Sequence, residues 1–230
     1  ATKNVAAFIY EPLVQGAAAM KMYDASLLNE LLGIVKQHKV LAIADEVMTG
    51  FGKTGKHFAS AHLTHQPDII CLAKSLTGGM VPMAITSCSQ QVYEAFLSDE
   101  ISKGFFHGHT YSANPIACTA ALAGIELLES AEIQENIARI IASHQTFDKR
   151  IKKHPKVAET RQLGVIYALD LNIEMDRYGD LRNTLFKFFM SNGVCLRPLG
   201  NTIYILAPYV ITNVQLEKIY HTIEAALEMV

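Results

Sequence analysis

The chain has 230 residues, half of them hydrophobic, with a formal net charge of −2. That is enough for a full core, divided between two lobes. No basic patch, no apolar run of about 18 residues and no signal peptide is visible, so neither a nucleic-acid nor a membrane partner is expected. The four cysteines, Cys71, Cys88, Cys118 and Cys195, are scattered without metal-type pairing. Reduced thiols in a cytoplasmic protein fit that pattern. The chain opens on Ala1 without an initiating Met and reaches a strand-like run within a few residues. An upstream part of a longer protein is therefore expected.

In chain order, residues 5 to 13 read as a buried strand closed by Glu11 and Pro12, and residues 14 to 23 as a loop. From Asp24 the stripe Leu27, Leu28, Leu31, Leu32 and Val35, with Asp24 or Ser26 as cap, predicts an amphipathic helix covering a sheet. Runs at 40–45, 69–73 and 83–89 read as further strands, the first two covered on both faces. Their spacing predicts βαβ units with right-handed crossovers. Residues 90 to 112 look irregular. Asn114-Pro115 caps a helix with a small-residue face (Ala117, Ala120, Ala121, Gly124), which implies close approach to another backbone. A helix at about 132–152 carries Ile133, Ile137, Ile140, Ile141 and Phe147. Beyond it GVIYALDL (164–171), a helix at about 179–191 stopped by Gly193, the VCLRP and TIYILAP runs and a last helix from Thr212 form an α+β lobe. The boundary falls near 129, giving domains 1–128 and 129–230.

Asp45 and Lys74 each stand where an apolar run gives way to a loop, the sheet edge at which open α/β folds bind ligands. Such an acid and amine suit a pyridoxal enzyme, which needs an amine to bond the cofactor aldehyde and a carboxylate to keep the ring nitrogen protonated. The same amine, once released, moves the proton at the substrate Cα. From spacing alone the pair reads equally well as a solvated lysine and a loop acid.

The motifs ADEVMTGFGKTG and CLAKSLTGG, together with EPLVQGAAAMKMY and FFHGHTYSANPIACTAALAG, resemble the signature of class III, or ω-type, aminotransferases, which are fold type I pyridoxal phosphate enzymes. With RPLGNTIYILAPYVIT, the resemblance narrows to the branch that serves biotin synthesis, whose amino acceptor is 8-amino-7-oxononanoate and whose usual donor is S-adenosylmethionine. It implies an α/β fold with a mostly parallel sheet, a smaller C-terminal α+β domain and a homodimer with its active site at the subunit interface. It also implies Lys74 as the cofactor-bonding and catalytic lysine and Asp45 as the ring-nitrogen partner. Thr110 would reach the cofactor phosphate of the other subunit. Arg197 would grip a substrate carboxylate, a task suited to a planar fork, and Tyr204 would lie near the substrate. Without the resemblance Thr110 reads as a loop hydroxyl and Arg197 as a surface arginine.

The sequence departs from the pattern at Lys53, where the class usually carries arginine close to the second substrate, and at Ala18-Ala19, where glycines are common. The first departure leaves the donor open, lysine being used by some relatives. The family's phosphate-holding glycine-led helix and its ring-stacking aromatic lie upstream of Ala1. Other ω-aminotransferases of the ornithine, GABA or lysine type, and a non-catalytic fragment of the enzyme, remain alternatives. Gly50 to Gly55 matches a dinucleotide fingerprint, but no acid ends the next strand. Gly52-Lys53-Thr54 lacks the earlier glycine of a P-loop. His62 with His65 and His107 with His109 have no third ligand at a metal spacing, and no GxSxG elbow is present.

Overall fold

A computed structural model describes residues 4–174, 176 and 179–230. Ala1, on which the expectation of an upstream part was based, lies outside them. The chain divides into two compact units: Ala1–Leu13, Tyr23–Phe51 and Lys56–Glu129 in the first, and Val14–Met22, Gly52–Gly55 and Ser130–Val230 in the second.

The first unit is built on a four-stranded sheet. Its elements are β1 (Ala7–Tyr10), α1 (Ala25–Gln37), β4 (Leu41–Asp45), β5 (Ile69–Leu72), β6 (Ile85–Cys88), α2 (Gln90–Glu94) and α3 (Pro115–Glu129). Two short strands of the second unit, β2 (Val14–Gln15) and β3 (Lys21–Met22), fall between β1 and α1 in the sequence. The sheet order is β1-β4-β5-β6. β1, β4 and β5 are parallel, whereas β6 runs antiparallel to β5. The sheet is therefore mostly parallel, but the expected succession of parallel βαβ units stops at β5. The connection from β4 to β5 also lacks an α-helix, holding turns and a short 3-10 segment, Ala59–His62.

Side chains explain the details. The Asp24 carboxylate accepts the Ser26 N–H and starts α1. Only Leu28, Leu32 and Val35 of the expected α1 stripe are buried, while Leu27 and Leu31 are exposed. The covered face follows the four- and three-residue spacing of a helix packed along β4. The strand expected to be buried at 5–13 is open at Ile9, and every residue of β6 is exposed. In α3, Asn114 Oδ1 accepts the Ala117 N–H, and Ala117 and Ala121 are buried. A Cβ on Gly124 would stand 2.9 Å from the Leu76 carbonyl oxygen, so the small face does meet another backbone.

The second unit holds α4 (Ala131–Ile151), β7 (Val157–Leu163), β8 (Ile166–Leu171), α5 (Asp180–Ser191), β9 (Thr202–Ile205) and α6 (Asn213–Leu227). β7, β8 and β9 form an antiparallel sheet in that order. β7 was missed in the sequence because VAETRQL alternates poorly and half-exposes its polar residues. The core is aromatic: Phe147 stacks on Tyr220 at 4.3 Å between ring centroids and tilts against Tyr167. A reciprocal capping box between Thr212 and Gln215 starts α6.

The expected loop at 14–23 is instead an antiparallel pair, β2 with β3. Its tip places Ala19 and Met20 at φ of 60° and 56°. Left-handed backbone disfavours residues with a Cβ, and here Arg161 holds it, donating to the Met20 and Ala19 carbonyls at 2.9 and 2.6 Å. The rest of that guanidinium forms a two-point pair with Asp170 at 2.8 and 2.9 Å.

Candidate active site

In the first unit, Asp45 is the last residue of β4 and pairs in register with Cys71 on β5. Lys74 follows three residues later and opens a 3-10 turn, Lys74–Thr77. Adjacent strands run about 4.8 Å apart, so one sheet edge carries both an acid and an amine. Asp45 is half-buried, and one of its carboxylate oxygens accepts the Val47 N–H at 3.1 Å. The Lys74 side chain is exposed, but the turn beneath it is fixed. Leu76 N–H donates to the Ala73 carbonyl at 2.6 Å, Thr77 Oγ1 donates to the Val81 carbonyl at 2.7 Å, and Gly78 closes the turn at φ 61°. Leu76 and Thr77 are buried, and the Leu76 carbonyl lies under Gly124 of α3.

Glu46 directly follows the half-buried Asp45 in the sequence. It is fully buried, and its carboxylate accepts the Ala59 N–H at 2.6 Å, the Ser60 N–H at 2.8 Å and the Ser60 hydroxyl at 2.5 Å. An anion at the start of the Ala59–His62 segment is well placed to satisfy its open N–H groups. Glu46 thus anchors the connection that follows Asp45. Turns rather than a helix follow Gly50 to Gly55, so no helix N-terminus is there to receive a dinucleotide pyrophosphate.

Thr110 lies in an exposed turn of the same unit. The Ser112 hydroxyl accepts the His109 N–H at 3.1 Å, and the Ser112 N–H donates to the His109 carbonyl at 2.9 Å. Around it in sequence Ile101, Phe105, Phe106 and Tyr111 are all strongly exposed.

In the second unit, Arg197 and Tyr204 line one cleft of about 1010 Å³, shared with Phe186, Leu206 and Lys218. Arg197 is held between buried Leu196 and Pro198, just before a tight turn in which Leu199 bridges Thr202 and Gly200 sits at φ 60°. Tyr204 stands on β9 opposite Ala168. Lys53 is elsewhere in this unit, with its ammonium 4.2 Å from the centre of the Tyr209 ring. Burial pulls its pKa down to about 8. Its backbone is tied to β8's lead-in, since the Val165 N–H donates to the Lys53 carbonyl at 3.0 Å. The structure thus groups Asp45 with Lys74, and Arg197 with Tyr204, and leaves Thr110 in a separate turn.

Sequence reading also missed His144, though it completes the buried stripe Ile137, Ile140, His144, Phe147, Ile151 of α4. One ring nitrogen meets the Tyr220 hydroxyl at 2.8 Å and the other the Val165 carbonyl at 3.2 Å. The tautomer that satisfies both has Nε2–H donating to the carbonyl and Nδ1 accepting from tyrosine. Burial holds the imidazole neutral, with a pKa near 4. The unfolded chain takes up this proton from about pH 6.5 downward and the folded protein only near 4. Stability is therefore intact above 6.5 and falls by roughly 3 kcal/mol as pH drops to 4. Denaturation midpoints measured against pH are expected to show this slope, and His144→Phe is expected to flatten it.

The aminotransferase class-III family profile matches residues 1–227, and the chain belongs to that family. Over 229 residues and 99% of its length it is 42% identical to the adenosylmethionine-8-amino-7-oxononanoate aminotransferase of Synechococcus elongatus, covering 54% of that protein. The crystal structure of the enzyme of that name from Methanocaldococcus jannaschii superposes with a TM-score of 0.89 at 30% identity, covering 96% of this chain and 53% of that one. An amine transaminase from an uncultivated Pseudomonas species, solved in the PLP-bound form, gives a TM-score of 0.88 at 32% identity, with 97% and 52% covered. The chain thus spans about half the length of the relatives it matches. The fold is that of fold type I pyridoxal phosphate transaminases. Among the described residues no helix is long and apolar enough to cross a membrane.

Proposed function

We propose that the intact protein is a pyridoxal phosphate-dependent aminotransferase that converts 8-amino-7-oxononanoate to 7,8-diaminononanoate for biotin synthesis, with S-adenosylmethionine as amino donor. The observation that carries this reading is the 42% identity, sustained along the chain, to a relative that bears the activity in its name. Residues 1–128 supply part of the cofactor-binding large domain and residues 129–230 the small domain.

The residues of the first unit fit the cofactor. The Asp45 carboxylate, half-buried and fixed at the end of β4, suits a protonated ring nitrogen, because an ionised acid beside it holds the proton in place. When bound, the cofactor draws in the electrons left as the substrate Cα–H breaks. The exposed Lys74 amine, on a turn braced by α3, would hold the cofactor through its aldehyde and would carry the proton to and from the substrate Cα. Arg197 binds the keto-acid carboxylate with its two-pronged guanidinium, and Tyr204 borders it, which their shared cleft supports. Lys53 serves the second substrate.

The protein is a homodimer, and Thr110 donates its hydroxyl to the cofactor phosphate of the other subunit. Exposed Ile101, Phe105, Phe106 and Tyr111 around Thr110 support an interface there. The four free cysteines support a cytoplasmic location.

The test is amino transfer by the intact protein, with 8-amino-7-oxononanoate as acceptor and S-adenosylmethionine, lysine and ornithine as alternative donors. Formation of 7,8-diaminononanoate from S-adenosylmethionine is expected. Turnover with ornithine and a simple keto acid, but none with 8-amino-7-oxononanoate, would overturn the assignment.

A further inference from the structure

We propose that Tyr209 is a positioning residue for substrate recognition: its ring seats the Lys53 ammonium so that this cation meets a substrate carboxylate. The inference deepens the transaminase reading and rests on it.

Lys53 is half-buried, and among the described residues no carboxylate lies within ion-pair distance of its amine. What faces the charge is the Tyr209 ring, at 4.2 Å. A desolvated cation is ordinarily paired with an anion, and a ring face compensates only part of the lost hydration. Burial lowers the pKa of this amine, as it does for any cation taken out of water. An arriving carboxylate would supply the missing counter-charge, so this amine gains more from an anionic ligand than a solvated lysine does.

The cation is also held from beneath. A Cβ on Gly164 would fall within 2.4 Å of the Lys53 carbonyl oxygen and the Gly55 nitrogen, so the 53–55 segment lies directly on Gly164. Val165 grips the Lys53 carbonyl with its N–H while its own carbonyl meets His144 Nε2, which links the segment to the buried His144–Tyr220 pair. With the backbone fixed, the side chain is the remaining freedom, and the ring removes it. Pro208 and Val210, on either side of Tyr209, line the cleft that contains Arg197 and Tyr204. Two cations in one unit suit a reaction in which amino donor and amino acceptor both bring a carboxylate.

The experiment is a double-mutant cycle in the intact enzyme, with KM and kcat measured separately for donor and acceptor. Tyr209→Leu is expected to raise KM for one of the two carboxylate substrates about tenfold while kcat changes less than about threefold; the arm that moves identifies the carboxylate. Tyr209→Phe, which keeps the ring face, is expected to restore the KM lost in Tyr209→Leu. Lys53→Met is expected to reproduce the Tyr209→Leu effect, and the two together to add nothing further. The seat is read without catalysis by reductive 13C-methylation of lysines: the Lys53 methyl signal, assigned by its loss in Lys53→Met, should lie upfield from the ring current in wild type and Tyr209→Phe. In Tyr209→Leu that displacement should vanish. An unshifted Lys53 signal in wild type, unchanged KM values in Lys53→Met, or effects of the two substitutions that multiply independently would each overturn the proposal. Absence of amino transfer by the wild type would instead overturn the transaminase reading, while the methyl signal still reports on the seat.

Discussion

Replacing Lys74 by alanine is expected to lower amino transfer by at least about 10³-fold while leaving the fold intact. In the proposed reaction two roles would meet on this one amine, holding the cofactor through its aldehyde and moving the substrate proton. Proton transfer alone is worth about 10²–10⁴ in rate. Stability should barely change, because the side chain is exposed and the turn beneath it is held by backbone bonds and by buried Leu76 and Thr77. Lys74→Arg sharpens the result. Arginine keeps the positive charge but stays protonated, so it can neither bond the aldehyde nor accept the proton. Comparable loss in both variants, with unchanged melting temperature, identifies the free amine as the active group. Activity retained in Lys74→Arg would show that only charge is needed there, contrary to the proposed role.

Gly164→Ala is expected to have the largest effect on stability, about 2–5 kcal/mol. The residue sits at φ 58°, where a Cβ costs roughly 1–2 kcal/mol by itself. That Cβ would also fall 2.3 Å from the Thr54 carbonyl carbon and 2.4 Å from both the Gly55 nitrogen and the Lys53 oxygen. These are backbone atoms, not flexible side-chain ends, so the whole 53–55 segment must move, at an overpacking cost of order 1–3 kcal/mol. Chemical denaturation of the variant should show the loss, and the Val165 to Lys53 hydrogen bond should weaken with it. Gly200→Ala is a useful contrast: its φ is 60° but nothing lies within 4 Å of the added methyl, so only the backbone part of the cost is expected.

Much of the first unit was legible because its signals are local. Asp24 and Asn114 announce helix starts with side chains that reach a nearby N–H. The helical spacing of small residues in α3 points to a close backbone approach, which the contact at Gly124 provides. Asp45 and Lys74 stood out because a charged residue ending an apolar run is conspicuous. What stayed hidden depends on partners far along the chain. The direction of β6 is set by its hydrogen bonds to β5, and four residues carry no mark of it. The 14–22 hairpin rests on two-residue strands and on Arg161, neither visible as a period. Glu46 could not be separated from Asp45 by sequence pattern, since only the fold turns one inward to the Ala59 and Ser60 N–H groups. Tyr209 gave no signal at all, because its role comes from a distant lysine laid across its ring.

The most direct test of the account is to incubate the intact protein with pyridoxal phosphate, reduce with borohydride and map the modified peptide by mass spectrometry. One pyridoxyl group is expected, carried by Lys74 in the turn that follows β5. A label on any other lysine, Lys53 included, or no stable label at all, would contradict it.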